Sequence, residues 1–146
     1  MSMTVKQHVD YWLAGSAEDM KVMRDNIKLK HMTHALFFGH LAIEKMLKAV
    51  CAVRRIQVPV HGSTGHNLPF IAAQCELVLT TRQITELTTI KAFNIAARYD
   101  DYKSRFHKTC TPQYVKEWSS KIKWWYKYLK TIVERERSAL PNNSPM

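Results

Sequence analysis

The residues best suited to chemistry lie in one stretch, Phe93–Lys108, which begins at the end of an apolar helical segment. Arg98 and Arg105 could each grip a phosphate, because a guanidinium donates two parallel hydrogen bonds to its oxygens. Tyr99 follows Arg98 directly, and His107 adds an imidazole that could act as a general acid or base. The stretch therefore has residue types that could hold a phosphate, together with an Arg and a His that could cleave one.

The spacing of Arg98 and His107 bears on whether they could act together. Eight residues separate them, so a continuous helix would place the two groups about 13 Å apart along its axis. Only a loop after Tyr102 could fold His107 back toward Arg98. Arg98 also has a structural interpretation, in which it neutralises the dipole at a helix C-terminus and pairs with Asp100 or Asp101.

A second candidate group lies in the most apolar segment of the chain. His40, Glu44 and Lys48 stand four residues apart, so they share one face of a helix. This polar strip could face a ligand or a cleft between two subunits. Alternatively, it could be a solvated Glu–Lys pair beside a surface histidine. The sequence leaves both interpretations open.

A loop follows that segment, because two prolines and two glycines fall between Val58 and Pro69. It carries His61 and His66. A loop histidine next to Asn67 could cap the following short helix or reach back to the central helix. We count His66 among the candidate ligand-binding residues.

The sequence lacks the patterns of several other kinds of site. His31, His34 and Glu44 lack a second matching set of metal ligands. Gly62 and Gly65 are not followed by the Lys-Ser/Thr of a phosphate-binding loop. No nucleophile elbow is present. The three cysteines show no CxxC spacing, which is typical of a reduced, cytoplasmic protein. We therefore expect neither a metal nor a cofactor, and a cytoplasmic location.

The elements that must position these residues are helices. Helical periodicity runs through Thr4–Leu29, Met32–Ile56, Phe70–Leu79 and Gln83–Ala97. The stretch Asp100–Thr111 has no clean period. A last helix begins at Thr111-Pro112, with Thr as N-cap and Pro at the first helical position. Its apolar residues step by three and four along a seam: Val115, Trp118, Ile122, Trp125, Leu129 and Ile132.

These segments predict an all-α fold, an up-and-down four-helix bundle with an additional short helix. Residues 1–138 are expected to form a single domain, and residues 139–146 a disordered polar tail. No run approaches the roughly 18 apolar residues of a membrane span, so no membrane association is expected. The seam of the last helix suits packing inside the bundle or against a dimer partner. Trp118, Trp124 and Trp125 together favour a homodimer.

The charge of the chain points to its partners. The sequence has 22 Lys and Arg against 12 Asp and Glu, a formal net charge of +10. Between Arg98 and Arg137 there are 11 basic and 5 acidic residues, so +6 of that charge lies in the last part of the chain. A basic helix bearing Lys116, Lys123 and Lys127 could bind a polyanion in a salt-dependent way. Solubility alone is the alternative explanation.

Four segments resemble motifs of the HEPN family, the higher eukaryotes and prokaryotes nucleotide-binding domains. They occur in the family's order, over about 90 residues of this chain. The similar segments are Trp12–Asp19, the central-helix segment His40–Ala49, the loop residues Val58-Pro59 with His66-Asn67-Leu68, and Phe93–Tyr99 with its Ala-Arg-Tyr motif.

The resemblance implies a helix bundle that is usually a homodimer and associates with nucleotides, RNA and partner nucleotidyltransferases. Many family members are ribonucleases, often toxins, with Arg and His four to six residues apart. This sequence departs from that pattern, because Arg98 and His107 are farther apart. Asp100 also replaces the proline that follows Arg-Tyr in the family.

The sequence thus supports a non-catalytic HEPN-type module that binds a nucleotide or RNA phosphate, with a nucleotidyltransferase partner in a toxin–antitoxin-like pair. The alternative is a metal-independent ribonuclease that uses Arg98 and His107. A purely structural interaction protein is a third hypothesis. The candidate ligand-binding residues are His40, Glu44, Lys48, His66, Arg98, Tyr99 and Arg105.

Overall fold

The computed structural model describes residues 2–59 and 63–146, which form six α-helices and one short 3-10 helix. The α-helices are α1 (Val5–Lys28), α2 (Met32–Val53), α3 (Leu68–Gln74), α4 (Thr81–Arg98), α5 (Asp100–Thr109) and α6 (Pro112–Ser138). The 3-10 helix, Ser63–His66, lies between α2 and α3. The predicted all-α fold class is confirmed, and the four long predicted segments correspond to α1, α2, α4 and α6.

Helix α2 is the centre of the bundle, as its apolar composition predicts. Most of its residues are buried, and α1, α3, α4 and α6 all pack against it. Small residues let the neighbours approach closely. Ser16 of α1 donates a hydrogen bond to the carbonyl of Ala42 at 2.6 Å, and Gly39 lies directly against Met23 and Ile122. The central helix is therefore enclosed on most sides, so any polar residue on its inner face is removed from water.

Threonine caps begin three of the helices. The hydroxyls of Thr4, Thr80 and Thr111 each accept a hydrogen bond from a backbone N–H three residues on, at 3.1, 3.1 and 3.2 Å. Such caps satisfy a donor that the helix itself cannot. The start of α6 at Thr111 and Pro112 agrees with the sequence prediction.

The buried seam of α6 follows the predicted residues until its last position. There Val133 is fully buried, whereas the predicted Ile132 is only partly buried. A straight helix has 3.6 residues per turn, so a strict alternation of three and four drifts off the buried face. Trp118 and Trp125 lie in the core, and Trp124 stays exposed.

Helix α5 is the main element that the periodicity missed. Tyr99 leaves the helical region, with φ −104° and ψ 130°, and separates α4 from α5. Only Phe106 is buried among the side chains described for α5, and its ring stacks on Phe93 at 5.5 Å. One buried side chain among the eight whose burial is described is too few to produce a visible apolar period.

Helix α3 begins and ends earlier than the predicted Phe70–Leu79. The side chain of Asn67 accepts a hydrogen bond from the N–H of Phe70 at 3.2 Å, which begins the helix at Leu68. Glu76 has a φ of 63°, a left-handed conformation that ends the helix.

The C-terminal segment differs from the predicted disordered tail. The N–H of Val5 donates to the carbonyl of Ser144 at 2.9 Å, and Lys6 Nζ donates to Asn142 Oδ1 at 2.7 Å. Pro145 forms an isolated β-bridge with Thr4. Residues 139–146 therefore pack against the start of α1, because the end of α6 brings their polar groups to partners there.

Alanine at Gly39 is expected to lower the free energy of unfolding by up to about 2 kcal/mol. A Cβ atom there would lie 2.6 Å from Ile122 Cδ1 and 2.8 Å from Met23 Sδ. Overpacking costs about 1–3 kcal/mol, and the gain in helix propensity offsets about 1 kcal/mol of it. Gly15→Ala is the matched control, because its Cβ would meet only the flexible Lys45 side chain, at 3.0 Å. Urea unfolding should show destabilisation for Gly39→Ala alone, and equal effects of the two changes would contradict this packing.

Candidate functional site

The polar strip of α2 lies inside the bundle. His40, Glu44 and Lys48 are 0%, 4% and 5% exposed. The interpretation of a solvated Glu–Lys pair beside a surface histidine is therefore wrong. Helical periodicity placed the three residues on one face, but it did not show that the chain covers that face. Burial of charged groups requires partners, because an unpaired charge in the interior is costly.

Glu44 is the centre of the buried polar cluster, which we define as His40, Glu44, Lys48 and His66. Lys48 Nζ donates to Glu44 Oε2 at 3.0 Å. His66 Nδ1 lies 2.7 Å from Glu44 Oε1, and His40 Nε2 lies 3.8 Å from the same oxygen. The ammonium of Lys48 also lies 5.3 Å from the ring centroid of Trp12, on α1. Both carboxylate oxygens of Glu44 thus have partners, one from α2 itself and one from the loop.

His40 is the least satisfied member of this cluster. Among the described residues, neither of its ring nitrogens has a hydrogen-bond partner of good geometry, although the His66 backbone lies close enough to raise its pKa. Burial lowers the pKa of His40 from 6.5 to about 4, although the nearby Glu44 carboxylate acts in the opposite direction. At neutral pH the ring is therefore uncharged. Its ring stacks on Phe37, with ring centroids 6.5 Å apart.

His66 is available to contact the central helix α2, because its neighbour Asn67 caps the start of α3. Asn67 Oδ1 accepts a hydrogen bond from the N–H of Phe70, which has no partner within α3. His66 ends the preceding 3-10 helix and reaches back to Glu44. Of the two roles foreseen for a loop histidine, the structure places His66 in the second. His61 lies outside the described residues.

His66 also lines an open depression of about 540 Å³ between the loop and α4. The lining residues are His66, Asn67, Lys91, Asn94, Ile95, Arg98 and Tyr99. In the part of the chain that the structure describes, this lining has three basic side chains and two amides, and no carboxylate. Two of the sequence candidates, Arg98 and Tyr99, therefore lie beside His66.

Sequence reasoning missed Lys91 and Asn94, which also line this depression. Lys91 stands seven residues before Arg98, and Asn94 stands four before it, so all three share one face of α4. That spacing was available as a signal. The spacing alone did not identify a site, because the sequence does not indicate which face of α4 meets the loop.

Arg98 is the last residue of α4, as its position after Ala96-Ala97 predicted. Its Nη1 donates to Asn94 Oδ1 at 3.3 Å, and its guanidinium carbon lies 5.8 Å from the ring centroid of Tyr99. Tyr99 is 53% exposed. The side chains of Asp100 and Asp101, the alternative partners of Arg98, lie outside the described part of the structure.

The other two candidates lie apart from this depression. His107 lines a separate one with Thr33, His34, Ala96, Ala97, Lys103 and Phe106. Arg105 is exposed on α5 and is in the lining of neither depression. The helical course of α5 explains the separation, because no loop after Tyr102 folds His107 back toward Arg98. The structure thus does not bring Arg98 and His107 together in one depression.

The described residues show neither a metal-binding group nor a membrane-spanning helix. No group of three or more His, Cys, Asp or Glu side chains among them is arranged to hold a metal ion. None of their helices combines the length and the apolarity that crossing a membrane requires.

The fold and the site together define a class: an all-α domain with a basic depression beside a buried polar cluster. Comparison with known families identifies that class. The sequence model described as HEPN domain matches residues 9–132, most of the chain. The chain belongs to the HEPN domain family. No curated protein and no solved structure matches it significantly.

Proposed function

We propose that this chain is a non-catalytic HEPN module that binds a nucleotide or RNA phosphate in the depression between the loop and α4. One observation carries the proposal. Among the described residues, three basic side chains line the depression, those of His66, Lys91 and Arg98, and no carboxylate does. A concave site with one sign of charge concentrates the opposite charge. An anion is therefore the ligand that this site favours.

The other lining residues suit the rest of a nucleotide. Tyr99 presents an exposed ring beside the Arg98 guanidinium. Bases stack on such rings with little dependence on sequence, contributing about 1–3 kcal/mol per base. Asn67 and Asn94 add amides that could bond to ribose hydroxyls or base edges. The phosphate would bind Lys91 and Arg98, and the base would stack on Tyr99.

The exposed face of α6 could extend this interaction for a longer RNA. Lys116, Lys123 and Lys127 are all exposed there, and Trp124 lies among them, 49% exposed. Alternating basic and aromatic side chains are typical of surfaces that bind single-stranded nucleic acid.

The half-exposed Trp124 also supports the expected homodimer, since a large exposed ring is common at interfaces. The nucleotidyltransferase partner and the toxin–antitoxin-like pair remain proposals that rest on family membership. The three free thiols, Cys51, Cys75 and Cys110, support the proposed cytoplasmic location.

The ribonuclease alternative is the weaker proposal on geometric grounds. General acid–base catalysis needs the histidine within hydrogen-bond reach of the reacting hydroxyl, while the arginine contacts the same phosphate. His107 and Arg98 line different depressions. His66 lines the same depression as Arg98, but it is not part of the Arg98–His107 pair that this alternative requires.

Arg98→Ala is expected to weaken binding of a short 5′-phosphorylated single-stranded RNA by about 10- to 100-fold. Hydrogen bonds to charged groups contribute about 1.5–3 kcal/mol, which corresponds to that range. Fluorescence anisotropy with labelled RNA at low salt measures it. Arg82→Ala is the matched control, because Arg82 lies on the same helix, α4, with its side chain 86% exposed and away from the depression. Equal losses in the two variants would contradict this site.

The same RNA distinguishes the two hypotheses on a denaturing gel. The binding module should leave the RNA intact over the whole titration. Cleavage that persists in EDTA and disappears in His107→Ala would replace the binding proposal by the ribonuclease, since loss of an acid–base group lowers rates by about 10²–10⁴-fold.

A further inference from the structure

The contact between Glu44 and His66 determines which ring nitrogen carries a proton. An ionised carboxylate can only accept hydrogen bonds. Glu44 Oε2 accepts one from Lys48 Nζ at 3.0 Å, and Oε1 lies 2.7 Å from His66 Nδ1. In the neutral form of the ring, His66 Nδ1 is therefore the nitrogen that donates to Glu44. Its Nε2 then has a free lone pair.

The orientation of the ring leaves Nε2 for a ligand. Nδ1 is occupied by Glu44, which is almost fully buried, whereas the His66 side chain is 44% exposed and lines the depression. The edge of the ring that carries Nε2 is thus the one away from Glu44. A ligand that enters the depression meets a proton acceptor beside two cations, Lys91 and Arg98.

Because of the charges around the His66 ring, binding of a second proton to this ring is coupled to binding of an anion. Lys48 already compensates Glu44, so a proton on His66 Nε2 would leave the cluster with one excess positive charge. Among the described residues, the titratable groups around the ring are Glu44, Lys48 and the uncharged His40 from α2. Lys91 and Arg98 of α4 line the same depression. Among them no second carboxylate compensates the added proton. An entering phosphate does.

We propose that phosphate binding in this depression is coupled to the uptake of one proton at His66 Nε2, with Glu44 as the positioning residue that fixes the ring. The inference rests on the proposed function and names the ligand class more narrowly. Three positive charges then face the ligand, which favours a phosphate monoester, a dianion at neutral pH, over a singly charged phosphodiester.

Isothermal titration calorimetry tests this coupling with adenosine 5′-monophosphate. Titrations at about pH 7.5 avoid proton exchange by the nucleotide itself, because the second pKa of a phosphate monoester is about 6. The dependence of the binding enthalpy on the ionisation enthalpy of the buffer gives the number of protons taken up. We expect uptake approaching one proton per bound nucleotide, and weaker binding of 3′,5′-cyclic adenosine monophosphate, which has a singly charged phosphodiester.

Two variants separate coupling from simple charge attraction. His66→Gln should still bind the nucleotide, through Lys91 and Arg98, but without proton uptake. Glu44→Gln should show reduced uptake, since an amide no longer fixes the tautomer. His34→Gln is the control and should match the parent, because His34 is exposed and lines the other depression.

The outcomes keep the two proposals apart. Binding without proton uptake by the parent, or undiminished uptake by His66→Gln, would overturn the coupling and leave the phosphate site standing. Equal affinity for the cyclic nucleotide would overturn the preference for a monoester. If neither the nucleotide nor the short RNA binds the parent, the phosphate site and the coupling are both wrong.

Discussion

Replacing Glu44 by leucine is expected to lower the free energy of unfolding by about 3–5 kcal/mol, the cost of removing one partner from a buried ion pair. The change leaves the Lys48 ammonium in the interior without its carboxylate. The Trp12 ring remains beside it, with its centroid 5.3 Å from Nζ. A ring at that distance replaces only a small part of a direct contact at 3.0 Å. Urea unfolding at neutral pH measures the effect.

The double variant Glu44→Leu/Lys48→Met is the control for this prediction. It removes both charges and keeps the volume, so its stability should return to within about 1 kcal/mol of the parent or exceed it. Such a recovery would show that the pair itself adds no net stability. A single Glu44→Leu change that costs less than about 1 kcal/mol would contradict a desolvated pair, because that is the range of exposed pairs.

The burial of Glu44 also marks where sequence reasoning succeeded and where it failed. Four-residue spacing placed His40, Glu44 and Lys48 on one face of a helix, and the structure keeps them there. Whether that face meets water depends on α1 and on the loop, which pack against it from elsewhere in the chain. Local periodicity carries no information on such long-range packing.

The lack of long-range information also explains why the residues on the two sides of the depression could not be brought together from the sequence. Arg98 and Tyr99 were found because a basic and an aromatic residue at a helix end suggest phosphate binding. His66 was found as a loop histidine with two possible roles. That these residues meet follows from the Asn67 cap, which begins α3 and leaves His66 free to contact α2. Lys91 joins them only because α4 turns that face to the loop.

The helical boundaries were predictable where a strong local signal exists. The Thr111-Pro112 start of α6 rests on one hydroxyl and one fixed φ angle, and both act within four residues. Helix α5 has no such local signal. It is held to the bundle by Phe106, which stacks on Phe93 in the core. The separation of His107 from Arg98 is a consequence of α5, so it could not be settled from spacing alone.

The stability of the protein is expected to fall as the pH drops below about 6.5, and His40 should account for about 3 kcal/mol of the loss. Burial lowers the pKa of His40 from 6.5 to about 4. Between these two values the unfolded chain binds a proton at His40 and the folded chain does not. Acid therefore favours the unfolded state throughout this window, and the contribution is complete only below the folded pKa.

His40→Leu isolates this contribution, because leucine fills a similar volume and cannot bind a proton. The rest of the chain is the same in both proteins, so the difference between the two stability curves reports the contribution of His40. Measured by urea unfolding from neutral pH to about pH 4.5, the variant should gain stability relative to the parent as the pH falls. His34→Leu, an exposed position on the same helix, should give a curve parallel to the parent. Parallel curves for His40→Leu as well would mean that His40 takes up its proton in the folded state, and that the cluster is open to water.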